Sequence, residues 1–119
     1  MKFLRVGKSF LYAWRGIQTV VREERNFRLQ LLAAGGVLLL AVALHVRPIE
    51  AAILALVTGS VLVLELLNSL LERVVDLVKP RLHPYVAEIK NIAAGAVLIA
   101  AVTALIVALL VFVPHVLPR

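Results

Sequence analysis

Three long apolar runs constrain this chain more than any other feature of it. Leu29 to Val46 is broken only by Gln30 and His45, Ala51 to Leu71 is interrupted by Glu65 and Asn68, and a third run extends from Ile92 to Val113. Each comes close to the roughly 20 residues that a helix, rising about 1.5 Å per residue, needs to cross the hydrocarbon core of a bilayer. Pro48, Pro80 and Pro114 punctuate their ends. A soluble core fails on size: 119 residues, 62% of them apolar, cannot bury that much side chain in one small globule. The chain is therefore expected to form a single all-α integral membrane domain over residues 1–119, with a surface segment at 1–28 and transmembrane helices at 29–46, 51–71 and 92–113.

The surface segment, Met1 to Arg28, is too polar to span. It holds seven of the thirteen cations: Lys2, Arg5, Lys8, Arg15, Arg22, Arg25 and Arg28. A cleaved signal peptide would need a short basic start, an apolar stretch and a small-residue cleavage site, whereas here the charges recur throughout. Phe3, Phe10 and Ile17 fall seven apart, as do Trp14 and Val21, beside a parallel row of Lys8, Arg15 and Arg22. A helix with that pattern has one apolar and one basic side and is expected to lie on the membrane surface. The other cations set the orientation. Arg73, Lys79, Arg81 and Lys90 lie in the second connection, and only Arg47 and Arg119 fall on the opposite side. Because basic flanks stay cytoplasmic, the N-terminus and the loop from Glu72 to Asn91 are expected inside, with the turn around Pro48 and the C-terminus outside.

The second span carries the chemistry. Glu65, Asn68, Glu72 and Asp76 follow one another at steps of three, four and four, which keeps all four on one face of a helix. Glu65 and Glu72 are then two turns apart, roughly 10 Å along the axis. Ionisable groups inside a bilayer are costly, so this face needs a partner or a task and does not look at lipid. Lys90 and Asn91 open the third span, and Glu23, Glu24, Arg25, Asn26 and Arg28 precede the first, all on the side assigned to the cytoplasm. Several carboxylate oxygens with an amide and a lysine suit Mg²⁺ and phosphate: hard oxygens hold the metal, a cation meets phosphate oxygens, and a carboxylate takes a proton. Phosphoryl transfer from ATP uses such parts. The plainer alternative, that Glu72, Arg73, Asp76 and Lys79 are solvated ion pairs past the helix end, is favoured for Arg73 and Lys79. Glu65 lies deeper and is read as functional.

Other chemistries drop out. With no cysteine, disulfide frameworks, cysteine-ligated zinc, iron–sulfur clusters and thiol nucleophiles are excluded, and His45, His83 and His115 do not repeat at ligand spacing. Gly7-Lys8-Ser9 matches only the end of a P-loop, since position 2 is Lys where glycine is required and no strand precedes it. In the third span Ala96, Ala100, Ala104 and Ala108 recur every four residues. Small stripes of this kind let helices approach closely, and with so few internal helix contacts per chain a homo-oligomer is expected.

The segments Glu23-Glu24-Arg25-Asn26-Phe27-Arg28, Glu65-Leu66-Leu67-Asn68-Ser69 through Glu72-Arg73-Val74-Val75-Asp76, and Ile89-Lys90-Asn91-Ile92-Ala93-Ala94-Gly95 carry a resemblance. The chain resembles the prokaryotic diacylglycerol kinase family, particularly its undecaprenol kinase branch, from Tyr12-Ala13-Trp14-Arg15-Gly16 to the third span. The resemblance implies a homotrimeric lipid kinase of the bacterial inner membrane that uses ATP and Mg²⁺, shares active sites between neighbouring subunits and binds no nucleic acid. By matching positions, Glu65 would be the general base on the lipid hydroxyl, Asn68 would orient the site, and Glu24 and Glu72 would hold Mg²⁺ with the ATP phosphates. Asp76 and Lys90 would engage the nucleotide, and Arg5 matches a position near lipid or nucleotide. The family pairs this lysine with aspartate where this chain has Asn91, so a negative charge has become a neutral amide. Undecaprenol is favoured over diacylglycerol because the Glu-Arg-Asn-Phe-Arg and Glu-Arg-Val-Val-Asp segments look like that branch. The alternative from a different class is a noncatalytic membrane subunit or small ion-binding transporter whose polar face holds ions or a partner.

Overall fold

The computed structural model describes residues 2–117, apart from the side chains of residues 79–83; Arg119 and the side chains of Lys79, Pro80, Arg81 and His83 lie outside the described residues. Four helices follow in chain order: α1 (Lys2–Glu23), α2 (Arg25–Ala43), α3 (Pro48–Leu77) and α4 (Lys79–Val116). The last three include stretches long and apolar enough to cross a membrane. Large apolar side chains point outward all along them, as Leu32, Leu39, Leu56, Ile99 and Leu110 do. That distribution suits a hydrocarbon solvent and not water.

Two boundaries differ from the sequence expectation, each for a local reason. Residues 25–28, grouped above with the surface segment, begin α2. Glu24 alone leaves the helical region, with φ −122° and ψ 114°, and the chain turns there. Arg28 fixes the break by reaching back: its Nη1 donates to the carbonyl oxygens of Val21 and Arg22 at 2.7 and 3.0 Å. Those carbonyls, in the last turn of α1, have no helical N–H to accept, and a cation is favourable at that end. The second difference is the connection over 72–91, expected as a loop. It is helix on both sides of Val78: Pro80 falls in the first turn of α4, where a proline sacrifices no helical hydrogen bond, and the helix continues through Pro84.

The α2–α3 connection is tight. His45 has φ 54°, its N–H bonds Val42 O at 3.2 Å, and the Val46 N–H bonds Ala41 O at 3.2 Å. This is a Schellman closure with histidine where glycine is usual. Val46 packs with Ala41, Leu54 and Val111 in the one buried apolar cluster among the described residues, joined by Val37, Val107, Ala108 and Phe112. In a bilayer that cluster gains by close packing and dispersion, since lipid tails are as apolar as leucine. α3 is central: it packs along α4, more sparsely on α2, and meets the last turns of α1, where Val20 is buried. Ala104 and Ala108 of the expected stripe line a groove of about 230 Å³ with Ala33, Ala34 and Val37 of α2. Ala96 and Ala100 line a separate one against α3.

Candidate functional site

Polar side chains from all four helices gather at the end of the bundle where α1 meets α2 and α3 meets α4. Glu65 is the deepest. It is 4% exposed, and its Oε2 accepts a hydrogen bond at 3.2 Å from Nε2 of Gln30 on α2. One turn on, Ser69 is buried and Asn68 half-buried, with Asn68 Nδ2 placed 3.5 Å from Oε1 of Glu72. Farther along the same face Asp76 receives Lys90 Nζ at 2.9 Å, tying the end of α3 to α4. The three-four-four spacing thus puts its residues where helical geometry requires. Asn68 and Glu72 are joined directly on α3, while Glu65 and Asp76 are each held by a partner from another helix.

Glu24 forms the break between α1 and α2. Its extended backbone lets the side chain leave the α1 direction, and Oε2 ends buried with no hydrogen-bond partner. Asn68 Oδ1 and Gln30 Oε1 are in the same condition. All three orphaned atoms are acceptors, and a buried acceptor without a donor costs on the order of 1–3 kcal/mol. Such a set matches what a hard cation or a hydroxyl-bearing ligand supplies. Among the described residues no three His, Asp or Glu side chains converge as a metal cage.

Other sequence candidates are placed apart. Arg5 is exposed near the start of α1, where its carbonyl accepts the Ser9 hydroxyl, and Asn91 is exposed beside Lys90. Arg73, expected in an ion pair with its own helix, reaches instead to Glu23 Oε1 at 3.4 Å, its Nε lying 3.5 Å from Ser69 Oγ. This bridge anchors the end of α1 on α3. Beside it, Ala13, Gly16, Ile17, Thr19 and Val20 of α1 face Leu66, Ser69, Leu70 and Arg73 across a cavity of about 490 Å³. The sequence reading missed Gln30 and Glu23 as partners. The available signal for Gln30 was that it is the one amide in the first apolar run; nothing in sequence spacing pairs Glu23 with a residue fifty positions away.

Comparisons with known proteins show the family to which the chain belongs. The chain is 42% identical over 110 residues to the undecaprenol kinase of Bacillus subtilis, spanning 92% of this chain and 89% of that one. It is 45% identical over 100 residues to a diacylglycerol kinase of Synechocystis, covering 83% of this chain and 57% of the relative. It is 32% identical over 104 residues to the diacylglycerol kinase of Escherichia coli K12, covering 87% and 85%. The family model for prokaryotic diacylglycerol kinase matches residues 11–112, so nearly the whole helical bundle, with the acidic face of α3 inside it, belongs to that family.

Proposed function

We propose that this chain is an ATP-dependent membrane lipid kinase that phosphorylates a lipid alcohol at the cytoplasmic interface, undecaprenol ahead of diacylglycerol. The observation that carries the proposal is the buried carboxylate of Glu65, held by Gln30, in a chain that also leaves buried acceptor atoms of Gln30, Asn68 and Glu24 without partners. A charge at that depth is expensive, and its retention is accounted for by a reaction that needs a base there. The likeness to the undecaprenol kinase supports the choice of lipid.

In this reading the lipid arrives laterally and its hydroxyl meets Glu65, which takes the proton as the oxygen attacks the γ-phosphorus in line. Glu24 and Glu72 would hold Mg²⁺, which would supply positive charge to offset that of the phosphates. Asn68, whose amide already reaches Glu72, orients that carboxylate. Lys90 exchanges its Asp76 partner for phosphate oxygens, and Asp76 and Asn91 sit against the nucleotide. α1 lies on the membrane surface with its basic row in the headgroups, Arg5 near the lipid or nucleotide, and the N-terminus inside and C-terminus outside in the inner membrane. Three copies assemble, each completing its neighbour's site; that accounts for polar atoms left short of partners within one chain.

The test is phosphate transfer by the purified protein in lipid micelles with ATP and Mg²⁺, offering undecaprenol and diacylglycerol side by side. Product from undecaprenol in excess is the expected result. Product mainly from diacylglycerol keeps the mechanism and overturns the substrate. If neither reacts, and Asn91→Asp does not restore turnover, the noncatalytic reading takes its place.

A further inference from the structure

In the sequence Gln30 is only an interruption in an apolar run. In the fold it is the side chain that holds Glu65: its Nε2 donates to Glu65 Oε2 at 3.2 Å, across 35 positions of chain and between α2 and α3. Its carbonyl oxygen is buried and receives nothing. The amide is therefore oriented by the carboxylate alone. Turning it over would set two acceptor oxygens against each other, an arrangement that an ionised carboxylate does not tolerate. A glutamate side chain with both oxygens loose can rotate away from an attack geometry, and a misplacement of about 1 Å can cost on the order of a hundredfold in rate. Clamping one oxygen removes that freedom.

We infer that Gln30 is a positioning residue for phosphoryl transfer, its amide fixing Oε2 of Glu65 so that Oε1 is the oxygen presented to the lipid hydroxyl. The inference rests on Glu65 being the base. In the step itself the O–H bond of the lipid breaks, the proton goes to Oε1, the lipid oxygen bonds the γ-phosphorus, and the bond from that phosphorus to the bridging oxygen breaks as ADP leaves. Gln30 exchanges no proton. A neutral amide suits this task because it donates at every pH, which a carboxyl group at the same place would not.

Two variants test it. Gln30→Met keeps the length of the side chain, suits an apolar span and removes the donor. Its kcat should fall roughly tenfold or more while KM for ATP stays within about twofold, the signature of a bond used in the transfer step and not in nucleotide binding. Gln30→Glu restores a donor only while the introduced carboxyl group carries its proton. Turnover should therefore recover toward wild type at the acidic end of the range and decline as pH rises, a dependence that a purely structural side chain would not produce. Wild-type kcat in Gln30→Met, or equal impairment of both variants at every pH, would overturn the inference. Retained turnover in Glu65→Gln identifies a different failure, that of Glu65 as the base, and removes the inference with it.

Discussion

The two halves of α3 make opposite use of a glutamate. At the Pro48 end, Glu50 is held by Arg47: the Arg47 backbone N–H donates to its Oε1 at 3.0 Å and Arg47 Nε lies 3.6 Å away, with His115 Nε2 at 3.7 Å. His115 is held in turn, its Nδ1 2.8 Å from the Val111 carbonyl. The carboxylate sits in the first turn of α3, where the orphan N–H groups and the positive end of the helix dipole favour it. In the other half the balance reverses. Among the described residues Glu65 has one donor, from Gln30, and Glu24, Gln30 and Asn68 each keep an acceptor atom buried without one. A protein selected for stability alone would close that half as it closes the first. Leaving it short of donors costs stability locally, and such conflicts concentrate where a ligand completes the set.

The strongest way to break this comparison is to neutralise each glutamate. Glu65→Gln should lower turnover by roughly 100- to 10,000-fold, the range that a positioned base contributes, while the unfolding midpoint in micelles holds or rises because a buried charge is gone. Activity that survives, or a fold that fails, would make Glu65 as structural as Glu50. The complementary change lies in the packed cluster of the Pro48 end, where Leu54 is fully buried. Leu54→Ala should cost about 1–3 kcal/mol on unfolding, less than in a soluble core because lipid also solvates leucine, with specific activity of the folded fraction unchanged. Next in size, Glu50→Ala removes the acceptor for the Arg47 N–H and should cost about 1 kcal/mol, again with turnover preserved. A turnover defect in either variant would show that the Pro48 end communicates with the site.

Much of the comparison was legible before any coordinates. The three apolar runs specify spans because length and hydropathy are properties of contiguous sequence, and the Glu65, Asn68, Glu72, Asp76 face follows from helical period alone. What the sequence hid is of another kind. Gln30 against Glu65, Arg73 against Glu23 and Lys90 against Asp76 are choices among helices, and no spacing rule reaches across 35, 50 or 14 positions. The break at Glu24 carries neither glycine nor proline; it depends on Arg28 turning back to the end of α1, a contact that exists only once both helices do. The helical course of α4 before the third span was hidden by reading proline as a stop, whereas Pro80 falls in the first turn, where it is a start, and the helix runs on through Pro84.

The smallest effect sharpens the same contrast, because it asks whether the Pro48 end is as optimised as it is closed. His45 closes α2 in the left-handed region, at φ 54°, where a side chain bearing Cβ is strained and glycine is not. The surrounding hydrogen bonds are backbone to backbone, so His45→Gly keeps both. Relief of strain on the order of 1 kcal/mol is offset in part by the greater freedom of glycine in the unfolded chain, leaving a net gain of about 0.5 kcal/mol. A raised unfolding midpoint with unaltered turnover is the expected outcome. A lowered midpoint would mean that the imidazole itself contributes at this turn, and that the Pro48 end has accepted backbone strain in exchange for a side-chain interaction.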